Sequence, residues 1–268
     1  MNLSEPLPIE FAEPLARAAG RLGPFGREII WYSEVSSTSD VAASLAERDA
    51  AEGMVVAANS HSAGRGRLGR AWASPPGAGL YVSVVLRPAR HVVPLVTIAA
   101  GVAIAQGIEA ATGLGAQLKW PNDVCVGRQK LAGVLAEAST NAPDGAGVSY
   151  VVLGFGINVL PAAYPSDVAV RATSLEGELG RRVDRGLVFV ECLSALAQRY
   201  GDLLHDRNGD VIAAWRARAA TTLRRRVRFE TAGAQLEGVA EDVDETGALL
   251  VRTSSATIRV TSGEVNWL

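Results

Sequence analysis

The sequence predicts an α+β fold in which a large mixed domain is followed by a small all-β module. Three observations predict it. Apolar runs of strand length alternate with Ala/Leu-rich helical segments as far as about residue 220. No internal repeat or low-complexity tract interrupts them. From Thr222 the pattern becomes short alternating strands separated by turn residues. A chain of 268 residues is long enough for one large domain and one small one.

The elements follow in order. Residues 1–26 form an N-terminal extension with a short helical pattern, closed by the break Leu22-Gly23-Pro24. Ile29–Tyr32, Met54–Ala57 and Leu80–Leu86 are strand-like. The third is read as a continuous apolar run, suited to a buried central strand. SSTSDVAASLAERDA (36–50) places Ser and Thr ahead of an Ala/Leu run and Asp40 in the first turn, which is the start of a helix. Residues 94–112 begin with Pro and form a long buried helix. KWPNDVCVGRQKLAGVLAEAST (119–140) and SYVVLGFGINVLP (149–161) are apolar strands with turn chemistry between them. Residues 184–220 are helical, with Leu187, Phe189, Val190, Leu193, Leu196 and Ala197 on one face. The closing module turns at 231–233 and at 244–247, in the manner of a small SH3-like β-barrel. The expected division is 1–26, 27–220 and 221–268.

Charge and cysteine usage exclude several classes. The net charge of -2 gives no basic excess for a nucleic-acid backbone. Cys125 and Cys192 form no CxxC pair and are expected as buried thiols in a cytoplasmic protein. Three histidines without HExxH or CxxH spacing give no zinc site. The N-terminus has no secretory pattern, and the apolar stretches are read as too short or too Gly-broken to span a bilayer.

Four stretches carry chemistry. HSAGRGRLGRAW (61–72) alternates Gly64, Gly66 and Gly69 with Arg65, Arg67 and Arg70 and ends in Trp72. Glycine lets a backbone approach a ligand, and arginine forks pair with carboxylate or phosphate oxygens. The stretch is neither a Walker loop nor a dinucleotide fingerprint. Alone, it leaves a solvated loop, a nucleotide site and an RNA contact all open. Lys119-Trp120-Pro121-Asn122-Asp123 gathers a cation and two polar groups at a rigid turn, where Asn-Asp after Pro is also ordinary turn chemistry. Lys130-Leu131-Ala132-Gly133 sets a lysine before a small-residue strand, to reach an anion or to protect a sheet edge. In Gly154-Phe155-Gly156-Ile157-Asn158, glycines strip one strand face, leaving room for a flat ligand or for close packing.

In this order the motifs resemble the biotin protein ligases (biotin–[acetyl-CoA-carboxylase] ligases). Ser37-Thr38, GRGRLGRAW (64–72), KWPND (119–123), KLAGVL (130–135), GFGIN (154–158) and the closing DETGALLV and SGEV carry the resemblance over nearly the whole chain, about residues 28–268. It implies a mixed-sheet biotin/lipoate ligase-like catalytic domain and an SH3-like C-terminal domain. It also implies ATP-dependent joining of biotin, through biotinoyl-5′-AMP, to a lysine of a biotin carboxyl carrier domain of acetyl-CoA or related carboxylases. ATP and Mg2+ would serve, with biotin as substrate. Neutralisation of charge at the α-phosphorus and shielding of the mixed anhydride are what such a site needs.

The resemblance also implies residue roles. Ser37, Thr38 and Ser39 would lie at the biotin ureido head, with His61, Gly64 and Gly133 also in the biotin site. Arg65, Gly66 and Arg67 would form a loop that orders over biotin and the adenylate. Arg67 and Arg70 would meet carboxylate or phosphate oxygens, and Trp72 would flank adenine. Lys119 would face the α-phosphate, and Lys130 the biotin carboxyl or acyl-phosphate oxygen. Lys119, Arg67 and Lys130 are the implied catalytic groups. Asn122 and Asp123 would shape the phosphate and metal end, and Asn158 would lie near adenine. The family's common Gln three residues before Gly64 is His61 here, and Ser39 and Asp40 stand where Asn and another polar residue are common. Biotin binding is therefore expected to weaken when His61 is protonated.

Roughly 25 residues precede the expected catalytic domain, too few for the winged helix-turn-helix of bifunctional members. No specific DNA binding and no membrane association are expected. Strands around 124–158 could pair across a homodimer. Lipoate–protein ligase, which shares the adenylation logic, is the nearest alternative. A regulator using the Arg loop and the RRRVR run (224–228) is opposed by the charge, and a catalytically dead adenylate binder by the intact Lys119 and Lys130.

Overall fold

The computed structural model describes residues 4–140, 148–162, 166–231 and 234–268. The turn expected at 231–233 falls partly outside them, at Ala232 and Gly233.

Seven strands form the main sheet: β1 (Ile29–Tyr32), β2 (Val55–Ala58), β3 (Gly79–Leu86), β4 (Gln117–Lys119), β5 (Asp123–Val126), β6 (Gln129–Ser139) and β7 (Tyr150–Asn158). They lie in the order β1-β2-β3-β7-β6-β5-β4. β1 and β2 are parallel and every other pair is antiparallel, which makes the sheet mixed. The central strands β3 and β7 are apolar and buried along nearly their whole length, as the sequence predicts for strands covered on both faces. Ser83 interrupts the apolar run of β3, at 0% exposure.

Helix α2 (Thr38–Ala46) starts where its sequence says it should. Ser37 caps it, its Oγ accepting from the Ser39 amide at 3.3 Å, and Asp40 sits in the first turn. Helix α3 (Val93–Thr112) is 20 residues long, and an 18-residue stretch of it has mean hydropathy 1.6. It corrects the expectation that no apolar stretch is long enough to cross a bilayer: by length and composition it is. It is instead the central core helix, with Leu95, Val102, Ile104 and Ile108 buried between the sheet and α6 (Arg185–Leu204).

The segment 184–220 is helical, as expected, and comprises two helices. It breaks at His205–Arg207 into α6 and α7 (Asn208–Ala219). Asp206 has φ +57°, and the Arg207 guanidinium turns back onto Asp202, donating to its Oδ1 at 2.7 and 3.0 Å. A buried carboxylate shared with Arg199 thus outcompetes continuation of the helix. Helix α1 (Ile9–Ala18), within the N-terminal extension, joins the same core. Its Phe11 is 4.9 Å from the Trp31 ring and 5.5 Å from Phe189.

Five further strands, β8 (Arg226–Thr231), β9 (Ala234–Val243), β10 (Leu249–Arg252), β11 (Thr257–Val260) and β12 (Val265–Trp267), form a separate antiparallel sheet ordered β11-β10-β9-β8-β12. The turn at 244–247 is built as the sequence predicts. Asp244 Oδ1 accepts from the Thr246 and Ala248 amides, and Gly247 takes φ +82°. Three contacts fasten this module to the strand that ends in Lys119. Trp120 Nε1 donates to Gly247 O at 2.9 Å, Thr222 Oγ1 donates to Leu118 O at 2.6 Å, and Lys119 Nζ lies 5.8 Å from the Trp267 ring.

Candidate active site

A cleft opens where the start of α2, the 61–72 loop and the strands β3, β6 and β7 meet. Its lining unites Ser37, Thr38, Ser39, His61, Arg65, Gly66, Arg67, Trp72, Asn122, Lys130 and Gly133 from four separate stretches of sequence. Gly64, Arg70, Lys119, Asp123 and Asn158 are not in the lining.

The floor is a buried hydroxyl trio. Ser83 Oγ lies 2.8 Å from Thr38 Oγ1 and 3.1 Å from Ser39 Oγ. Sequence reasoning missed Ser83. The available signal was a lone hydroxyl within LYVSVVL. In an otherwise apolar interior strand a polar group needs a partner, and a functional one is available next to the cleft.

One wall is the indole of Trp72. A Cβ on Gly156 would stand 2.6 Å from Trp72 Nε1, and one on Gly133 would stand 3.1 Å from the ring. The glycines of β6 and β7 therefore do make room for a flat group, which here is the chain's own indole. Trp72 Nε1 is buried and has no hydrogen-bond partner among the described residues. Lys130 Nζ lies 5.1 Å from the centroid of the same ring, a cation–π distance.

Lys130 Nζ also pairs with Asp123 Oδ1 at 2.5 Å. Asp123 therefore serves Lys130. Among the described residues no three His, Cys, Asp or Glu side chains gather to hold a metal ion. A standing Mg2+ site on Asp123 does not fit this arrangement. Asn122 locks the turn beside it: its Nδ2 donates to Val134 O at 2.7 Å, and its carbonyl accepts from Val134 N at 2.9 Å. Asn158 Nδ2 is spent on Thr173 O at 2.9 Å and Lys130 O at 3.4 Å.

The Arg/Gly loop is a braced hairpin. Gly66 N donates to Arg70 O at 2.7 Å and Trp72 N to Gly64 O at 2.9 Å. Arg65 Nη2 bridges Asp40 on α2 and Glu137 on β6, at 2.9 Å each. Arg70 pairs with Glu264, and Arg67 Nη2 reaches Gly263 O at 3.5 Å. The loop is thus tied to the main sheet on one side and to the C-terminal module on the other. Burial lowers the Arg67 pKa, and the nearby Asp123 opposes that shift.

His61 Nε2 accepts from the Thr38 amide at 3.2 Å, which places the ring proton on Nδ1. Burial pushes its pKa down to about 4 against the pull of Asp40. The neutral ring is therefore the folded-state form. Its contribution to stability is full above the unfolded pKa of about 6.5 and is lost as pH falls towards the folded value. The weakening of biotin binding expected from the sequence is displaced to more acid conditions. Isothermal titration with biotin at about pH 5.5 and pH 8 should give affinities equal within about twofold. A loss of tenfold or more at the lower pH would place the His61 titration in the neutral range after all.

Comparisons with known proteins give the family to which this fold belongs. The pattern of the Biotin/lipoate A/B protein ligase family matches residues 31–158, and that of the Biotin protein ligase C terminal domain matches residues 222–266. Fold and cleft thus define a ligase of the biotin/lipoate class. The chain is 35% identical to the biotin--[acetyl-CoA-carboxylase] ligase of Mycobacterium tuberculosis, covering 86% of this chain and 85% of that one. It is 33% identical to the bifunctional ligase/repressor BirA of Bacillus subtilis, covering 90% of this chain and 74% of that one. The biotin protein ligase of Aquifex aeolicus, solved with biotin and ATP, superposes with TM-score 0.74 at 27% identity, over 90% of this chain and 99% of that one. The chain belongs to the biotin protein ligase family.

Proposed function

We propose that the protein activates biotin with ATP as biotinoyl-5′-AMP and transfers it to one lysine of a biotin carboxyl carrier domain of acetyl-CoA carboxylase or a related carboxylase. The observation that carries this reading is the cleft itself. A hydroxyl floor (Thr38, Ser39, Ser83) lies in the same cleft as the cations Lys130 and Arg67, with an indole wall beside Lys130. The ureido ring of biotin has both donors and acceptors to match hydroxyls. The dithiolane of lipoate has none and would leave the trio bonded only to one another, with its remaining donor and acceptor capacity unused.

In the first step a biotin carboxylate oxygen attacks the ATP α-phosphorus. The bond from that phosphorus to the β-phosphate oxygen breaks, and pyrophosphate leaves. Two anions must meet, so Lys130 and Arg67 draw off charge at the carboxyl–phosphate junction. Lys119 and Arg70 stand outside the lining, at the junction with the C-terminal module, and are proposed to meet the nucleotide phosphates from that side. Trp72 offers its face to adenine, and Asn158 holds the 171–173 segment against Lys130. Mg2+ bound with the nucleotide would supply further neutralisation of phosphate charge beside these cations. In the second step the neutral acceptor lysine nitrogen attacks the acyl carbon. The bond to AMP breaks, AMP leaves with the electron pair, and the lysine proton passes to solvent. The braced loop keeps water from the anhydride meanwhile.

The proposed division into 27–220 and 221–268 assigns the cleft to the first unit and the brace at Gly263 and Glu264 to the second. A cytoplasmic setting accords with two buried, unpaired thiols. The deciding measurement is pyrophosphate release from Mg·ATP with biotin, lipoate or octanoate offered separately. Biotin alone should give the signal. A signal with lipoate alone would move the protein to the sister branch of the family, and silence with all three would refute adenylation.

A further inference from the structure

We propose that Leu68, at the tip of the Arg/Gly loop, is the apolar contact on which the acceptor protein docks. This rests on the proposed function, because it concerns delivery of the lysine to the same cleft.

Leu68 has two properties that packing does not explain. Its side chain is 65% exposed, and its backbone is left-handed, at φ 56° and ψ 35°. A leucine rarely adopts that conformation, and Gly69 beside it is left-handed as well, at φ 73°. A glycine at Leu68 would relieve the strain, and a polar residue would suit the exposure. The sequence has neither. The tip is also held in place. Main-chain hydrogen bonds cross the hairpin at Gly66–Arg70 and Gly64–Trp72, and ion pairs fasten its flanks through Arg65 and Arg70. The result is an exposed apolar side chain on a braced mount.

The occupant follows from the reaction. The acyl carbon lies in the cleft, and Arg65, Gly66 and Arg67 of the loop form part of the cleft lining. A lysine on another protein can reach that carbon only if its surroundings rest on the mouth. The loop tip is part of that mouth. Beside it lies an open groove between the loop and β6, lined also by Ala63, Leu135 and Glu137, along which a segment of the incoming domain would rest. Arg65 pairs with Asp40 and Glu137, Arg70 pairs with Glu264, and Arg67 lies near Asp123, so each arginine of the loop has a carboxylate at hand. With the local charge so balanced, an apolar contact is what the tip offers. Leu68 makes no contribution to the cleft lining, so its loss should spare the first half-reaction.

The test compares Leu68→Ser, Leu68→Gly and Leu68→Met with the wild type. Two rates are read: biotin-dependent pyrophosphate release without acceptor, and biotin transfer to the biotin-accepting domain of an acetyl-CoA carboxylase over a range of its concentrations. For Ser and Gly the KM for that domain should rise by roughly tenfold, as for a single interface anchor, with kcat and pyrophosphate release within about twofold of wild type. Met should behave as wild type. The Gly variant separates lost contact from lost strain. An unchanged KM in the Ser and Gly variants would overturn the inference, as would pyrophosphate release falling in parallel. Sedimentation of the same variants would also overturn it if Leu68→Ser split a wild-type dimer while leaving the KM unchanged. Wild-type silence with biotin would instead strike the proposed function.

Discussion

Lys130→Ala should reduce biotin-dependent pyrophosphate release by about 10²–10³-fold while leaving the fold intact. Lys130 Nζ is the cation between the Asp123 carboxylate and the Trp72 ring, 2.5 Å from the first and 5.1 Å from the centroid of the second. Its removal does more than delete one positive charge. Asp123 is then left uncompensated where a carboxylate and a triphosphate must approach each other. A unit charge about 5 Å from a developing anion, at an effective dielectric constant near 20, amounts to about 3 kcal/mol, or roughly two powers of ten in rate. The double variant Lys130→Ala/Asp123→Asn should therefore recover part of the loss, because the stranded carboxylate is gone. If the double variant is as slow as the single one, Asp123 has no share in the effect. If Lys130→Ala keeps wild-type activity, the cleft is not where charge develops.

The largest effect on stability is expected from Gly107→Ala. Gly107 is where α3 meets α6. A Cβ there would stand 2.5 Å from Cys192 Cα and 2.6 Å from its backbone nitrogen. Backbone cannot step aside as a flexible side chain can, so the two longest helices must separate, at about 2–3 kcal/mol. Thermal unfolding should fall by roughly 5–10 °C. Gly201, on α6, is the control: nothing lies within 4 Å of its added Cβ. Gly201→Ala should raise stability by about 0.5–1 kcal/mol through helix propensity. Equal melting shifts for the two variants would mean that the close approach at Gly107 is unimportant.

Much of the architecture was legible because its signals are local. A capping serine, an apolar run and an Asp-X-X-Gly turn each act within a few residues, and α2, β7 and the 244–247 turn form where their residues predict. What local signals left open was long-range or competitive. The break after Leu204 depends on Arg207 turning back to Asp202, a pairing that periodicity cannot show. Helix α3 is the buried helix that residues 94–112 predict, although its length and composition alone would also let it cross a membrane. At the site, motif order located the cleft, but it could not tell which groups were already engaged. Asn158 is spent on Thr173, His61 on the Thr38 amide, Asp123 on Lys130 and Arg70 on Glu264, 194 residues away. Each is an expected ligand contact that a partner from another element holds in the structure.

The brace on the Arg/Gly loop has a consequence for fidelity. Its fastenings, Arg65 to Asp40 and Glu137 and Arg70 to Glu264, are solvent-facing ion pairs, each worth at most about 1 kcal/mol and weakened by dissolved ions. The apolar core beneath them feels salt far less. Rising ionic strength should therefore detach the cover before it disturbs anything else, and the activated acyl group would escape to water or to chance amines while the protein still melts normally. The accuracy of labelling would then be set by the solution as much as by the sequence.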